Sequence, residues 1–332
     1  MRTRADVARL AGVSESTVSY VLSGKRPISE ATKARVLDAI EKLGYKSNYA
    51  ATALAGGSPR IVTVMISNLF TLHSSRIDGA LVEGIVAGVR DSGFHIVIWP
   101  IANDTDSDIG LLVQSNFSGG VVLMNVKEEN DERVNVLKNE KVPFVVIGRT
   151  NVDFSYNFVD RDFETVYKIA LKRLKDLGHV HIGVLQSYSP TPKILKRLAA
   201  SLKVKLEVIE TANTWEGGIA VAQNFKAKYS KVTGIVSLID AATVGFVNAA
   251  AEYSISIPKD LSIIGVNMLE EQAEDTIPQV DTVAFKAFDM AKSSGRILTE
   301  SILDGKKSKK RKQELWVGDY MDRGSTAKRS TS

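Results

Sequence analysis

Four side chains near the start of the chain, Glu15, Ser16, Ser19 and Tyr20, stand where they can hydrogen-bond a partner. On a helix turning about 100° per residue they share one arc, and Val18, Val21 and Leu22 fill the opposite one. Carboxylate, hydroxyl and phenol groups carried outward on a buried-backed helix suit the donor and acceptor edges of DNA bases. Thr3, Ser14, Thr17 and Ser19 are short hydroxyls suited to phosphate oxygens, contacts that position a protein on a duplex without reading it. Chemistry of the catalytic kind is harder to find. There is no cysteine, no Gly-x-Ser-x-Gly elbow and no phosphate-binding loop, and the only histidines are His73, His95, His179 and His181. His179 and His181 would share a face if both lay on one strand, but a bare His-x-His without acidic partners is a weak metal pair. Neither enzyme activity nor a cofactor or metal is expected.

The elements that must carry the first group are legible from their start and stop signals. Thr3 with Asp6 three residues on opens one helix, and Gly12 closes it. Ser14 caps a second helix running to Leu22 before Ser23-Gly24. Ser29 caps a third, in which Val36, Leu37, Ile40 and Leu43 recur at helical spacing before Gly44. Val18, Val21 and Leu22 are expected to pack on Val7, Leu10 and Ala11 and on Val36, Leu37 and Ile40. The short Ala11-Gly12-Val13-Ser14 turn makes a helix-turn-helix of the first two.

Charge divides unevenly. Residues 1–60 hold ten Lys/Arg against five acids, and residues 305–332 hold nine against three, which leaves the middle of the chain net acidic. A basic head on an acidic body suits an anionic polymer bound at one end. The run Lys306-Lys307-Ser308-Lys309-Lys310-Arg311-Lys312 is either a solvated loop or a second nucleic-acid contact. It lies between a helix-like segment (286–304) and a strand-like one (Glu314 to Val317).

The run Ala5-Asp6-Val7-Ala8-Arg9-Leu10-Ala11-Gly12-Val13-Ser14-Glu15-Ser16-Thr17-Val18-Ser19-Tyr20-Val21-Leu22-Ser23-Gly24, continued by Ile28–Thr32 and Val36–Tyr45, closely resembles the headpiece of the lactose repressor (LacI/GalR) family. The resemblance implies base reading by Glu15, Ser16 and Tyr20. Many members carry arginine at the last of these, and Tyr20 cannot take its bidentate grip on guanine. Glu15 either accepts from a cytosine amino group or repels phosphate and tunes register. The segment Asn48-Tyr49-Ala50-Ala51-Thr52-Ala53-Leu54-Ala55 is too short to be a stable helix alone, and Gly56-Gly57-Ser58-Pro59 breaks it. It looks like the family's hinge helix, with Asn48 on the DNA and Leu54 as the wedge that opens a minor-groove step. Ser47 stands where the family commonly has proline.

From Arg60 onward, apolar runs alternate with helical stretches such as Ile77–Asp91, Asp162–Leu177 and Ala241–Tyr253. The runs are Ile61–Ile66, His95–Trp99, Gly120–Met124, Phe144–Ile147, His181–Leu185, Val204–Ile209, Gly234–Leu238 and Ser262–Val266. Unalternating strands between helices imply two parallel sheets covered on both faces, with a ligand cleft at their carboxyl ends. Leu177–Gly183, Ile257–Gly265 and Arg323-Gly324-Ser325-Thr326 resemble landmarks of the same family. The expected architecture is therefore an N-terminal all-α helix-turn-helix headpiece plus hinge helix, on an α/β two-lobed periplasmic-binding-protein-like body. The boundaries fall at 1–46 (headpiece), 47–59 (hinge and linker) and 60–332 (body). The first lobe takes about 60–160 plus about 288–318, and the second about 161–287 plus the C-terminal end.

Strand-end position nominates Asn68, Phe70, Trp99, Arg149, Asp160, Trp215, Asp240 and Asn267 for a small-molecule effector. Trp99 and Trp215 either stack on a flat ligand face or serve packing, and Asp240 is either a ligand group or an N-cap for a helix starting at Ala241. Sugar-binding relatives usually carry Asn-Asp where this chain has Ile239-Asp240, and an acidic pair where it has Asn267-Met268. These departures weigh against a simple sugar inducer, and the effector expected is a small molecule, either a sugar or a sugar derivative. No apolar run reaches the ~20 residues of a membrane span, and the N-terminus has no apolar export segment. The expectation is a cytoplasmic, nucleoid-associated homodimer on a pseudo-palindromic double-stranded operator. It would act as a repressor of a carbohydrate or related catabolic operon, or as a ligand-independent or activator-type member of the family.

Overall fold

The computed structural model describes residues 3–23, 26–45, 59–67, 76–101, 107–115, 117–188, 191–305 and 310–329. Asn48, Leu54, Asn68 and Phe70 lie outside them.

Three helices form the head: α1 (Arg4–Ala11), α2 (Glu15–Ser23) and α3 (Glu30–Leu43). Each start is set by a side chain. The Thr3 amide and hydroxyl both donate to Asp6 Oδ2 at 2.8 Å, and the Asp6 amide returns a bond to Thr3 Oγ1 at 3.3 Å, a complete capping box. The Thr17 amide donates to Ser14 Oγ at 3.2 Å, and the Thr32 amide to Ser29 Oγ at 3.3 Å. Gly12 sits at φ 63°, a left-handed conformation that costs a residue without Cβ little, and so the α1–α2 turn can stay short. Val7, Ala8, Ala11, Val18, Val36 and Ala39 are buried together, with Val21, Leu22 and Ile40 packed around them. Leu10 and Leu37, expected in this core, are instead 52% and 48% exposed. Small residues at 8, 11 and 39 bring the helices close, and so small a core cannot also cover its flanking leucines.

The body is two six-stranded sheets, with helices packed against both faces of each. The first contains β1 (Ile61–Ser67), β2 (His95–Ile101), β3 (Gly120–Leu123), β4 (Phe144–Ile147), β5 (Asn157–Arg161) and β11 (Gln313–Trp316), all parallel, in the order β11-β5-β4-β3-β1-β2. The second contains β6 (His181–Gln186), β7 (Lys205–Glu210), β8 (Gly234–Ser237), β9 (Ser262–Gly265), β10 (Asp281–Val283) and β12 (Tyr320–Met321). Its order is β12-β10-β9-β8-β6-β7, with β12 alone antiparallel. Successive residues of β1 serve opposite cores. Val62, Val64 and Ile66 pack with Ile85 of α4 (Arg76–Arg90) and Leu298 of α12 (Ala287–Asp304). Met65 packs with Ile109 of α5 (Ser107–Gln114) and Leu137 of α6 (Glu132–Asn139). With both faces covered, the strand reads as an unbroken apolar run.

The chain crosses from the first sheet to the second after β5, returns after β10 and crosses again after β11. Backbone bonds tie these passages together: the Asp162 amide to the Trp316 carbonyl at 3.0 Å, and the Ala284 amide to the Asp319 carbonyl at 2.9 Å. Two sheets of six hold more strands than the eight apolar runs and the strand-like segment Glu314 to Val317 announce. The unforeseen strands are short or polar: β5 reads Asn-Phe-Val-Asp-Arg, β10 has three residues and β12 two.

Candidate nucleic-acid interface and interlobe cleft

Helix α2 turns its buried residue, Val18, inward and leaves Glu15 and Ser16 exposed, with Thr17, Ser19 and Tyr20 half-buried at the margin. Ser14 Oγ lies 2.7 Å from Ser16 Oγ and 2.9 Å from Thr17 Oγ1, so three hydroxyls form a chain around the positive end of α2. The Arg26 guanidinium lies over the Tyr20 ring, 5.5 Å from its centre, setting a cation beside the outward face. Sequence reasoning missed Arg26, because a ring contact made across a turn has no helical spacing to announce it. Thr3 keeps its hydroxyl proton on Asp6. The arrangement can accept from and donate to base edges while presenting hydroxyls and a helix N-terminus to phosphate.

In the body, the structure joins two of the nominated effector residues. Arg149, just past β4, donates through Nε to Asp160 Oδ2 at 2.6 Å, with 42% of its side chain exposed against 11% for Asp160. Burial pushes the Asp160 carboxyl above its ordinary value, and the Arg149 guanidinium pulls against that rise. Trp99 does not stand free: half-buried, it packs with Met65 and Ile101 against the first-sheet core, on the side to which the β2 pleat turns it. Trp215 opens α9 (Trp215–Lys228) and is 44% exposed. Asp240 is no N-cap either. It is the first residue of α10 (Asp240–Ala250), and Ile239 holds the cap position. Its buried carboxylate accepts from Asn213 Nδ2 and Gln272 Nε2, both at 2.8 Å. Asn267 is half-buried just past β9.

Arg161, which sequence reasoning passed over, occupies the centre of the interlobe region. It is 2% exposed, and its guanidinium donates to the carbonyls of Val266, Val283 (2.9 Å) and Ala284 (3.3 Å) and lies 4.3 Å from the Phe285 ring centre. Burial lowers its pKa to about 10, so it stays a cation at neutral pH. At the outer margin, Arg76 of α4 bonds Asp275, the residue after α11 (Glu270–Glu274), at 2.8 Å. The two histidines of the His-x-His run do not converge. His179 bonds Thr233 and the Ala327 carbonyl, whereas His181 faces Glu207 at 2.6 Å. Among the described residues no group of three or more His, Asp or Glu could hold a metal ion, and no helix is long and apolar enough to cross a membrane.

A capped helix-turn-helix joined to two parallel-sheet lobes defines a DNA-binding transcriptional regulator with a periplasmic-binding-protein-like body. Residues 3–48 match the family described as bacterial regulatory proteins, lacI family, and residues 171–326 match the periplasmic binding protein-like domain. The chain is 25% identical over 337 residues to the HTH-type transcriptional regulator AglR of Rhizobium meliloti (strain 1021), covering 96% of this chain and 93% of that one. It is 27% identical over 311 residues to catabolite control protein A of Priestia megaterium, covering 89% and 91%. Among solved structures, the lac repressor dimer bound to operator and the anti-inducer ONPF shares the fold. The TM-score is 0.73 at 20% identity, over 98% of this chain and 99% of that one. The CelR–cellobiose complex matches with a TM-score of 0.68 at 21% identity, over 98% and 100%. By these matches residues 3–48 are a lacI-family domain, and the chain is similar along nearly its whole length to bacterial transcriptional regulators.

Proposed function

We propose that this regulator is a homodimeric, sequence-specific repressor of a carbohydrate or related catabolic operon, controlled by a small-molecule effector held between its lobes. The observation that carries the reading is the outward face of α2, with Glu15, Ser16 and Tyr20 on a helix whose other side is buried. Each headpiece (1–46) would enter a major groove, with Leu54 of the linker (47–59) as the central wedge and Asn48 beside it. One short helix reads few bases, and two-fold pairing doubles them. An effector shifts the balance of lobe arrangements only if it binds them unequally, and Arg149, Asp160, Trp215, Asp240 and Asn267 remain the residues proposed to meet it. The CelR–cellobiose complex, of like fold, supports a sugar or sugar derivative as its class.

A second reading, a regulator with a degenerate cleft, is favoured by one observation: Asp240 and Asp160 are already bonded to protein partners. Selection of bound sites from a random duplex pool tests the proposal. A two-fold symmetric consensus is expected, and Tyr20→Ala should change preference at one symmetric pair of positions. A pool recovered without any consensus would reject the reading.

A further inference from the structure

We propose that the floor of the first lobe is a second DNA contact, gripping phosphates that flank the site held by the headpieces. The inference rests on the reading of the headpiece as the DNA-binding module, and it uses side chains that reading leaves idle.

Lys138, Lys141 and Arg311 line a cavity of about 530 Å³ at the amino ends of the first-sheet strands, and among the described residues no acidic one lines it. All three cations are exposed. The Lys138 ammonium lies 3.7 Å from the Phe154 ring centre, which anchors one charge at the rim. The floor is also where the linker arrives. Gly119, in the same lining, lies so close to the Pro59 carbonyl that a Cβ there would collide with it. Pro59 is the last residue of the linker and its first described one, so the tether to the headpiece leaves the lobe from this side. Arg149 and Asp160, proposed to meet the effector, lie at the opposite, carboxyl ends of the same strands.

Charge favours a polyanion. The middle of the chain is net acidic, and such a body brought over a duplex is repelled by phosphate unless the facing surface is basic. The floor is that surface, and residues 305–332 supply nine of the chain's basic groups. Lys312 is committed to Glu300, which leaves Lys138, Lys141 and Arg311 as the cations the proposal needs. Exposed cations bind an isolated small anion weakly in water. A phosphate backbone already tethered nearby presents its charges at high local concentration.

The full-length protein is titrated with a site chosen from a random pool, set in a duplex of about 20 base pairs that covers only that site and in one of about 60 base pairs. The variant is Lys138→Gln with Lys141→Gln and Arg311→Gln. On the longer duplex the variant should bind about tenfold more weakly near 0.1 M salt. Its log K against log salt slope should be shallower by about 2–3, since each phosphate the protein no longer neutralises removes about 0.9 from the slope. On the shorter duplex, affinity and slope should match the parent. Exchanging lysine and arginine at the three positions should retain the long-duplex advantage. Unchanged binding to the long duplex overturns the proposal, and so does equal weakening on both. If the parent selects no site, the headpiece reading fails, and the same comparison on random duplexes of the two lengths still decides whether the floor holds DNA.

Discussion

Arg161 Nη2 and the carbonyl oxygen of Val283 are 2.9 Å apart, joining the last residue of a strand in one sheet to the last residue of a strand in the other. The same guanidinium serves the carbonyls of Val266 and Ala284, so one cation holds the ends of β5, β9 and β10 where the chain passes between lobes. Removing it would strand carbonyls in a dry site, a cost of about 1–3 kcal/mol for each left unmet.

Arg161→Met is therefore expected to destabilise the protein by about 2–4 kcal/mol, because the apolar volume is kept and the hydrogen bonds are removed. Arg161→Lys should recover only part, since a point charge cannot reach three carbonyls at once. Denaturant unfolding measures both. A loss under 1 kcal/mol for the Met variant would show that water replaces the guanidinium.

The Ser14 hydroxyl supports the reading helix, accepting from the Thr17 amide and touching the hydroxyls of Ser16 and Thr17. Ser14→Ala should cost the headpiece about 1 kcal/mol, and Ser14→Asp, which can still cap, much less. DNA affinity should separate the two differently, because an added carboxylate repels phosphate. The Asp variant should melt like the parent but bind DNA more weakly. Equal binding by both variants would place Ser14 away from the backbone.

Much of this was legible before folding. Caps at Thr3, Ser14 and Ser29 are local hydrogen bonds written in adjacent residues, and strands buried on both faces announce themselves as apolar runs. What escaped was set by distant partners. Arg161 looks like an ordinary charge until β9 and β10 bring their carbonyls to it. Asn213 and Gln272 find Asp240 from 27 and 32 residues away. Leu10 and Leu37 have the right period for a core but not the volume above them. Trp99, at the carboxyl end of a strand in sequence, faces the core because of the pleat.

Burial raises the Asp160 carboxyl and Arg149 opposes it, which gives a signed pH effect. A carboxyl whose folded pKa exceeds its unfolded value near 3.8 binds more protons when folded between those two values. Its contribution therefore falls as pH rises through that window and recovers on acidification. Arg149→Met removes the opposing cation and widens the window. It should lower stability at pH 7 by about 1–2 kcal/mol, a modest figure because solvent reaches 42% of the Arg149 side chain and screens the pair. The deficit should shrink as pH falls towards 4, and Asp160→Asn should abolish the difference in pH dependence. Melting curves of the two single variants and the double across that range check it. A deficit that grows with acid would reverse the sign.

Helix α4 crosses α12 through glycines. A Cβ at Gly88 would strike the Lys292 carbonyl, and one at Gly84 would lie 2.8 Å from Ala291 Cβ. Gly88→Ala must push the helices apart in a close-packed layer, and a loss of about 2–3 kcal/mol is expected. Gly79→Ala, on the same helix with open space around it, should be neutral or slightly stabilising. Thermal melts of the pair separate packing from propensity, since propensity alone predicts a gain at both.

Asp240 decides between the two readings of the cleft. If its carboxylate is fully employed by Asn213 and Gln272, the three form a closed buried network, and losing one member strands the others. Asp240→Ala should then cost about 1–3 kcal/mol. The double variant with Asn213→Ala should cost clearly less than the sum, a coupling of about 1 kcal/mol or more. A ligand-gripping carboxylate behaves otherwise: its removal relieves unpaired burial, so the single variant is neutral or more stable and the coupling vanishes. Chemical denaturation of the four proteins in the cycle, without added small molecules, distinguishes the cases. Strong coupling would mean that an effector must either break this network or bind elsewhere in the cleft, with Arg149 the most exposed charge left to meet it.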